Sequence, residues 1–327
     1  MIARRAVTLL RRAVDRARGS WLLPAPFVAL AIVSLSRGER RWEQVVLLFV
    51  APILAYASER TRRLLVLVYP LGLVGVLYDS MRYVRNVGLD GGVHVCDLRA
   101  FDRRFFGIGS GAARTTLPEW FQAHSSPALD LYCAIPYAIF IFVYVGYAVY
   151  LWFVDEGAMR RFAWTFFFLN VAGFATYHLY PAAPPWYYER YGCAVDLAAV
   201  ASEGPNLARV DAWLGVGYFH AMYGRASEVF GAVPSLHVAY PAVILLEGWR
   251  RHHALGRALA IAFFASMAFA AIYLDHHWIT DAVVGITYGV VVHFAVRTLA
   301  SDAPRAVAVA ERATTSAERA TPSAEQP

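Results

Sequence analysis

Apolar runs of spanning or near-spanning length recur along this chain, at about 21–36, 43–58, 64–80, 128–153, 162–180, 234–249, 258–274 and 278–297. Short polar connections separate most of them, and two long ones lie at 81–127 and 181–233. A helix that crosses a bilayer needs about 20 predominantly apolar residues, with a lower limit near 17. The last six runs meet that length or come close; the first two are short enough to form a shallow hairpin. The pattern predicts an all-α integral membrane protein with a six-helix core bundle and an N-terminal helical pair. Its parts are a basic N-terminus at 1–20, the membrane pair at 21–60, a six-helix membrane domain at 61–300 and a tail at 301–327. The tail is rich in Ala, Thr, Ser and Glu, has too little apolar surface to fold, and is expected to be disordered.

Composition agrees with the pattern. Apolar residues make up 58% of the 327 and charged residues 17%, with a mean hydropathy of +0.43. Soluble domains sit near 45–50% apolar and about 25% charged. All 30 basic residues are arginine. Arg4, Arg5, Arg11, Arg12, Arg16 and Arg18 precede the first apolar run, which places the N-terminus in the cytoplasm by the positive-inside rule. Eight crossings from there return the C-terminus to the cytoplasm and put "SERTRR" (Ser58–Arg63), "DEGAMRR" (Asp155–Arg161) and "WRRHHALGR" (Trp249–Arg257) on the same side. Both long loops fall outside. The external "RGERR" (Arg37–Arg41) runs against the rule. The net charge of +6 reflects this topology and anionic headgroups. It does not point to a nucleic-acid surface, because the arginines do not cluster with aromatics on a soluble domain.

Three cysteines make no framework. Cys133 lies inside an apolar run and reads as a small hydrophobe. Cys96 and Cys193 share the external side, where an oxidising compartment permits a disulfide.

The candidate chemistry is concentrated at the external helix ends. In "YLDHHWITD" (Tyr273–Asp281), His277 and Asp281 are four apart, which on a helix puts their Cβ atoms about 5–6 Å apart. A carboxylate there accepts one imidazole proton and leaves the other nitrogen free to attack. On the same helical reading His276 points about 100° away and serves at most as a secondary phosphate ligand. Asp275 reads as an interfacial charge. In "FGAVPSLHVAYP" (Phe230–Pro241), Pro234 suits the first turn of a helix. Ser235, His237 and the open amides of that turn, Leu236 among them, would form an anion site. An acid–base histidine facing a nucleophilic histidine held by a carboxylate is a phosphoryl-transfer arrangement that needs no metal. "HLYPAAPPWYYERYG" (His178–Gly192) places Trp186 and Tyr187 at headgroup level, beside the site. In "YDSMRYVR" (Tyr78–Arg85), Arg82 either pairs with Asp79 three residues away or offers a two-pronged phosphate donor.

With these residues in hand, "PSLH" and "HxxxD" resemble the second and third signatures of the type 2 phosphatidic acid phosphatase superfamily. "APPWY" (Ala183–Tyr187), "FGAVPSLHV" and "YLDHHWITD", in that order, resemble its inositol phosphorylceramide synthase branch. The similarity covers about residues 64–300 and implies the six-helix bundle of lipid phosphatases and phosphotransferases. It implies His277 as a nucleophile forming a phosphohistidine, with Asp281 orienting it. His237 is then the acid and base, and Ser235 with its neighbouring amides holds the phosphoryl oxygens. The phosphatase signature has an arginine six residues before the nucleophile, where this chain has Ala271, and the lysine and arginine of the first signature have no counterparts around "YPAAPPW". The synthase branch also lacks the arginine at Ala271, which favours that branch. Arg82, Arg190, Arg225 and His276 are the candidates to neutralise the phosphate in its place. The implied partners are a phospholipid donor and a lipid-alcohol acceptor, phosphatidylinositol and ceramide by family likeness, with no cofactor. The same residues would serve a lipid phosphate phosphatase, with water as acceptor. A di-iron oxidase would use several histidine boxes, but His252–His253 and His276–His277 fall on opposite sides, with no HxxxH or HxxHH spacing. A transporter would need no convergence of histidines and aspartate.

Overall fold

The computed structural model describes residues 22–38, 42–84, 92–199, 206–224, 226 and 228–320, with backbone only from 301 onward. The expectations about the basic N-terminus and Arg225 fall outside these residues. The described residues form helices and no strand. In chain order these are α1 (Ala25–Ser36), α2 (Trp42–Tyr56), α3 (Glu59–Met81), α4 (Cys96–Phe106), α5 (Leu117–Ala123), α6 (Pro127–Val154) and α7 (Glu156–Leu179). They continue with α8 (Pro185–Tyr191), α9 (Leu207–Leu214), α10 (Tyr218–Tyr223), α11 (Leu236–Gly248), α12 (Ala254–Tyr273) and α13 (Ile279–Ala320).

Helix starts follow local chemistry. Ser58 and Thr61 close a capping box on α3, and Thr116 and Glu119 do so on α5. Ser126 accepts from Leu129 N–H at the start of α6, and Asp155 from Ala158 N–H at the start of α7.

Four helices are long and apolar enough to cross a membrane: α3, α6, α12 and the Ile279–Ala300 part of α13. The sequence led us to expect six. α7 has the length at 24 residues, but opens with Glu156, Arg160 and Arg161. α11 has only 13 residues. The N-terminal pair, α1 and α2, is short as expected, at 12 and 15 residues, and packs on α3. α13 runs on to Ala320, so the tail expected to be disordered begins as a helix.

α11 is the central element, packed chiefly between α12 and α13 and also touching α6 and α7. One core gathers Tyr144, Phe162, Leu169 and Phe174 with Leu236 and Val243. A second gathers Tyr137, Met267 and Tyr273 with Val238. At the end of the bundle away from "PSLH", buried Glu247 of α11 meets Arg161, Arg251 and His293, which ties α7, α11 and α13 together.

The two long loops build a roof over the other end. His94 N–H donates to Pro181 O (2.8 Å) and Ala183 N–H to His94 O (2.9 Å). Ala182 N–H donates to Phe230 O (2.8 Å) and Ala232 N–H to Ala182 O (3.1 Å). Three chain segments are thus laced together by backbone bonds. A disulfide joins Cys96, the first residue of α4, to Cys193 beyond α8, with Cα atoms 5.4 Å apart. Cys133 is a free, buried thiol, as expected.

Candidate active site

The site forms where three elements meet: the N-terminus of α11, the turn between α12 and α13, and the first turn of α13. Ser235 N-caps α11 and donates its own N–H to Asp281 O of α13 (3.0 Å). Ala239 N–H is the first in α11 to find a carbonyl, that of Ser235 (3.1 Å). The amides of Leu236, His237 and Val238 therefore remain open, as at any unfilled helix start. α13 comes this close because position 285 is glycine: a Cβ there would lie 3.0 Å from Ser235 C and 3.2 Å from Ser235 N.

The turn holding both histidines is not helical. His276 and His277 donate their amides to Ala271 O at 3.1 and 2.9 Å, and α13 begins only at Ile279. His277 Nδ1 lies 3.4 Å from Asp281 Oδ2, so the expected pair is present, but across a helix start. The same Asp281 oxygen accepts from Trp278 N–H (2.9 Å) and so caps its own helix. Asp281 Oδ1 and Ser235 Oγ are buried without a hydrogen bond among the described residues. His277 Nε2 faces His237 Nδ1 at 3.2 Å. With the His277 Nδ1–H donating to Asp281 Oδ2, Nε2 carries the lone pair and His237 Nδ1 carries the facing proton.

His276 differs from the expectation. Released from the helix, it joins the other two histidines: one ring nitrogen from each of His237, His276 and His277 lies within 4.8 Å of the others. Its Nδ1 is held by Tyr137 OH (3.1 Å) and approached by Tyr223 OH (3.5 Å). Tyr137 is fully buried with His276 as its hydrogen-bond partner, so its O–H donates to Nδ1 and leaves Nε2 as the free nitrogen. In this turn outside the spanning helices, burial holds both imidazoles below the ordinary histidine range, His277 at about 4.

A cavity of about 520 Å³ opens from these rings. Leu71, Val74 and Gly75 of α3, Ile141 and Val145 of α6, and Phe166 and Phe174 of α7 line its length. His237, His276, His277 and Trp186 stand at its polar end, with Glu228. Asn170 and Tyr240 also line it and satisfy each other at 2.6 Å, and the hydroxyl-bearing Tyr78, Tyr144 and Tyr177 line it as well.

The remaining predicted site residues divide. Trp186 and Leu236 line the cavity. Tyr187 does not; fully buried, it donates to Ala194 O (3.1 Å) and accepts from Asp196 N–H (2.6 Å), which fixes the loop beyond α8. Arg82 pairs with Asp79, which Gln44 also reaches, and the cavity wall does not include it. Asp275 is no exposed charge. It is fully buried with a positive φ of 63°, its carbonyl accepts Trp186 N–H (3.0 Å), and its carboxyl faces Glu189. Burial, then the neighbouring Glu189, pushes Asp275 well above the usual carboxylate range.

Sequence reasoning missed Asp102, a fully buried residue of α4. Its Oδ1 accepts from Thr280 N–H (2.9 Å) and Oγ1 (2.8 Å), capping α13 one residue before Asp281. It missed Tyr137 and Gly285 as well. No local signal marks these, because each matters through a partner distant in sequence.

Comparison with known proteins places this geometry. The family model described as the PAP2 superfamily matches residues 101–295, more than half of the chain, and spans all three catalytic candidates. The chain belongs to the PAP2 superfamily. It is 34% identical over 251 residues to the phosphoinositol dihydroceramide synthase of Bacteroides thetaiotaomicron, covering 76% of this chain and 81% of that one. It is 27% identical over 169 residues to an inositol phosphorylceramide synthase catalytic subunit of Schizosaccharomyces pombe, covering 50% and 39%. It is 29% identical over 160 residues to the inositol phosphorylceramide synthase of Candida albicans, covering 48% and 34%. The chain thus spans well under half the length of these two fungal relatives. No solved structure matches it. This PAP2 enzyme is a membrane protein of the lipid phosphatase and phosphotransferase class.

Proposed function

We propose that this enzyme transfers a phosphoinositol headgroup from phosphatidylinositol to a ceramide-type lipid alcohol through a phosphohistidine on His277. The carrying observation is the His237–His277–Asp281 line at the head of a long apolar cavity. The name of the bacterial relative, which shares most of both chains, supports the choice of substrates.

His277 Nε2 attacks phosphorus, and the bond from phosphorus to the diacylglycerol oxygen breaks. On binding the anionic headgroup His237 takes up a second proton on Nε2, and as an imidazolium it passes its Nδ1 proton to that oxygen and is left neutral. The acceptor hydroxyl then gives its proton to His237 while its oxygen attacks phosphorus and releases His277. The cycle ends with every proton where it began. The two nitrogens now stand 3.2 Å apart. A reacting phosphorus needs about 3–3.5 Å from its nucleophile, so substrate must part the rings. The phosphodiester charge raises the proton affinity of both imidazoles and readies His237 as an acid. Open amides at the α11 start and His276 Nε2–H hold the phosphoryl oxygens, and Asp281 keeps His277 in its tautomer. The apolar wall seats lipid chains and limits water, which favours an alcohol acceptor over hydrolysis. The site faces the extracytoplasmic side, with both termini in the cytoplasm.

Purified protein supplied with inositol-labelled phosphatidylinositol and dihydroceramide should form labelled inositol phosphorylceramide, also in excess chelator. His277→Ala and His237→Ala should each abolish it. Free inositol phosphate without transfer would identify a hydrolase, and transfer surviving both substitutions would end the reading.

A further inference from the structure

The geometry points to a divalent transition-metal site, with zinc as its best-fitting ion, made by His237, His276 and His277, at which bound metal shuts the enzyme off. The inference uses the same side chains as the proposed transfer but does not depend on that chemistry.

Three imidazoles are the donor set of an open zinc site, with a fourth position left for water or another ligand. Tetrahedral zinc with bonds of about 2.0–2.1 Å places neighbouring nitrogens about 3.3–3.4 Å apart. His237 Nδ1 and His277 Nε2 already stand at 3.2 Å, and a nitrogen of His276 lies within 4.8 Å of the other two. Small ring rotations close the triangle.

Outer partners are in place. Metal-bound histidines commonly direct their other nitrogen to a carboxylate or another polar group, which fixes the ring. His277 Nδ1 faces Asp281, and His276 Nδ1 is held by Tyr137. His277 keeps Nε2 for the metal, and His276 frees its Nε2 when its proton moves to Nδ1, which then donates to Tyr137 OH. The cavity beyond gives the fourth position access from outside.

A metal held there ties up both the attacking nitrogen and the acid. It must therefore compete with phosphate for the site, so metal binding and turnover exclude each other.

The test uses untagged, detergent-purified protein titrated with Co²⁺ followed by Zn²⁺. One equivalent of Co²⁺ should give tetrahedral visible bands, Zn²⁺ should displace it, and vanadate should compete with both. Zn²⁺ should inhibit transfer, and chelator should restore it. His276→Asn should weaken binding at least tenfold, and Tyr137→Phe, which only frees the ring, by about 10–100-fold. Circular dichroism and a thermal melt check that both variants fold. No saturable binding to protein that still transfers headgroups would overturn the inference and leave the proposed function intact. Binding unchanged in both His276→Asn and His237→Asn would overturn it too, by placing the metal elsewhere. Transfer lost in chelator and restored by zinc would confirm the site but overturn its inhibitory role and the metal-free chemistry.

Discussion

Gly285→Ala is the sharpest probe of how the site is assembled. In an ordinary helix this change stabilises by roughly 0.5–1 kcal/mol. Here the new Cβ would meet Ser235, with the carbonyl carbon at 3.0 Å and the carbonyl oxygen closer still. Carbon atoms rest at about 3.5–4.0 Å, so α13 must back away from α11 by about 0.5–1 Å. Both partners are backbone, and no rotamer change can absorb the contact. The shift loosens the Ser235 N–H bond to Asp281 O and carries Asp281 and His277 away from His237. A misplacement of about 1 Å in reacting groups costs on the order of a hundredfold in rate, or about 2.7 kcal/mol of barrier. Headgroup transfer by purified enzyme in mixed micelles should therefore fall about a hundredfold in kcat, with a smaller change in KM. Gly146→Ala, whose Cβ meets nothing within 4 Å, is the control and should keep full activity. A folded Gly285→Ala enzyme with wild-type kcat would refute the claim that this close approach sets the catalytic geometry.

Three further outcomes follow from the roof and its supports. Asp102→Ala leaves Thr280 N–H and Oγ1 without their acceptor and should cost about 1–3 kcal/mol in a detergent melt, while Asp102→Asn, which keeps one acceptor oxygen, retains most of it. Cys96→Ser opens a bridge between residues 97 apart. Chain entropy gives such a loop about 4–5 kcal/mol, and membrane-anchored ends reduce it to about 2–4 kcal/mol; reductant should lower the wild-type melting temperature and leave the variant unchanged. Burial alone would raise the Glu119 pKa, but hydrogen bonds from Arg99, Thr115 and Thr116 outweigh it and bring it down to about 2. Its folded value lies below the unfolded one, so its contribution is complete above about pH 4.5 and drains away as pH falls towards 2. Glu119→Gln should flatten that stretch of the wild-type melting-temperature profile.

What could be read in advance follows the reach of each interaction. Helix content and the approximate span positions came from hydrophobic runs, a local property. His237, His277 and Asp281 were legible because a helix start and a four-residue spacing are local as well. The helical premise was the weak point: Asp281 caps α13 by reaching back to Trp278, which ends the helix before His277 and turns His276 into the site. Asp275 was misjudged for the same reason, since its left-handed turn buries it against Glu189. Asp102 caps a helix start 178 positions away, and the Tyr137–His276 contact joins residues 139 apart. No periodicity carries such information. The Cys96–Cys193 bond was readable only as a shared compartment, and the roof supplied the pairing.

The short central helix has a consequence for where catalysis happens. Thirteen residues of α11 rise about 20 Å, against a hydrocarbon layer of about 30 Å. Trp249, Arg250 and Arg251 follow its C-terminal end, residue types that settle at the headgroup boundary. The other end, with Ser235 and His237, must then stop about 10 Å short of the opposite surface. On the proposed function the reacting groups would then sit in a sunken well roofed by the loops, at the depth where a glycerol ester or a sphingoid hydroxyl already lies. A lipid would slide in sideways and bend its headgroup inward, without being lifted from its leaflet.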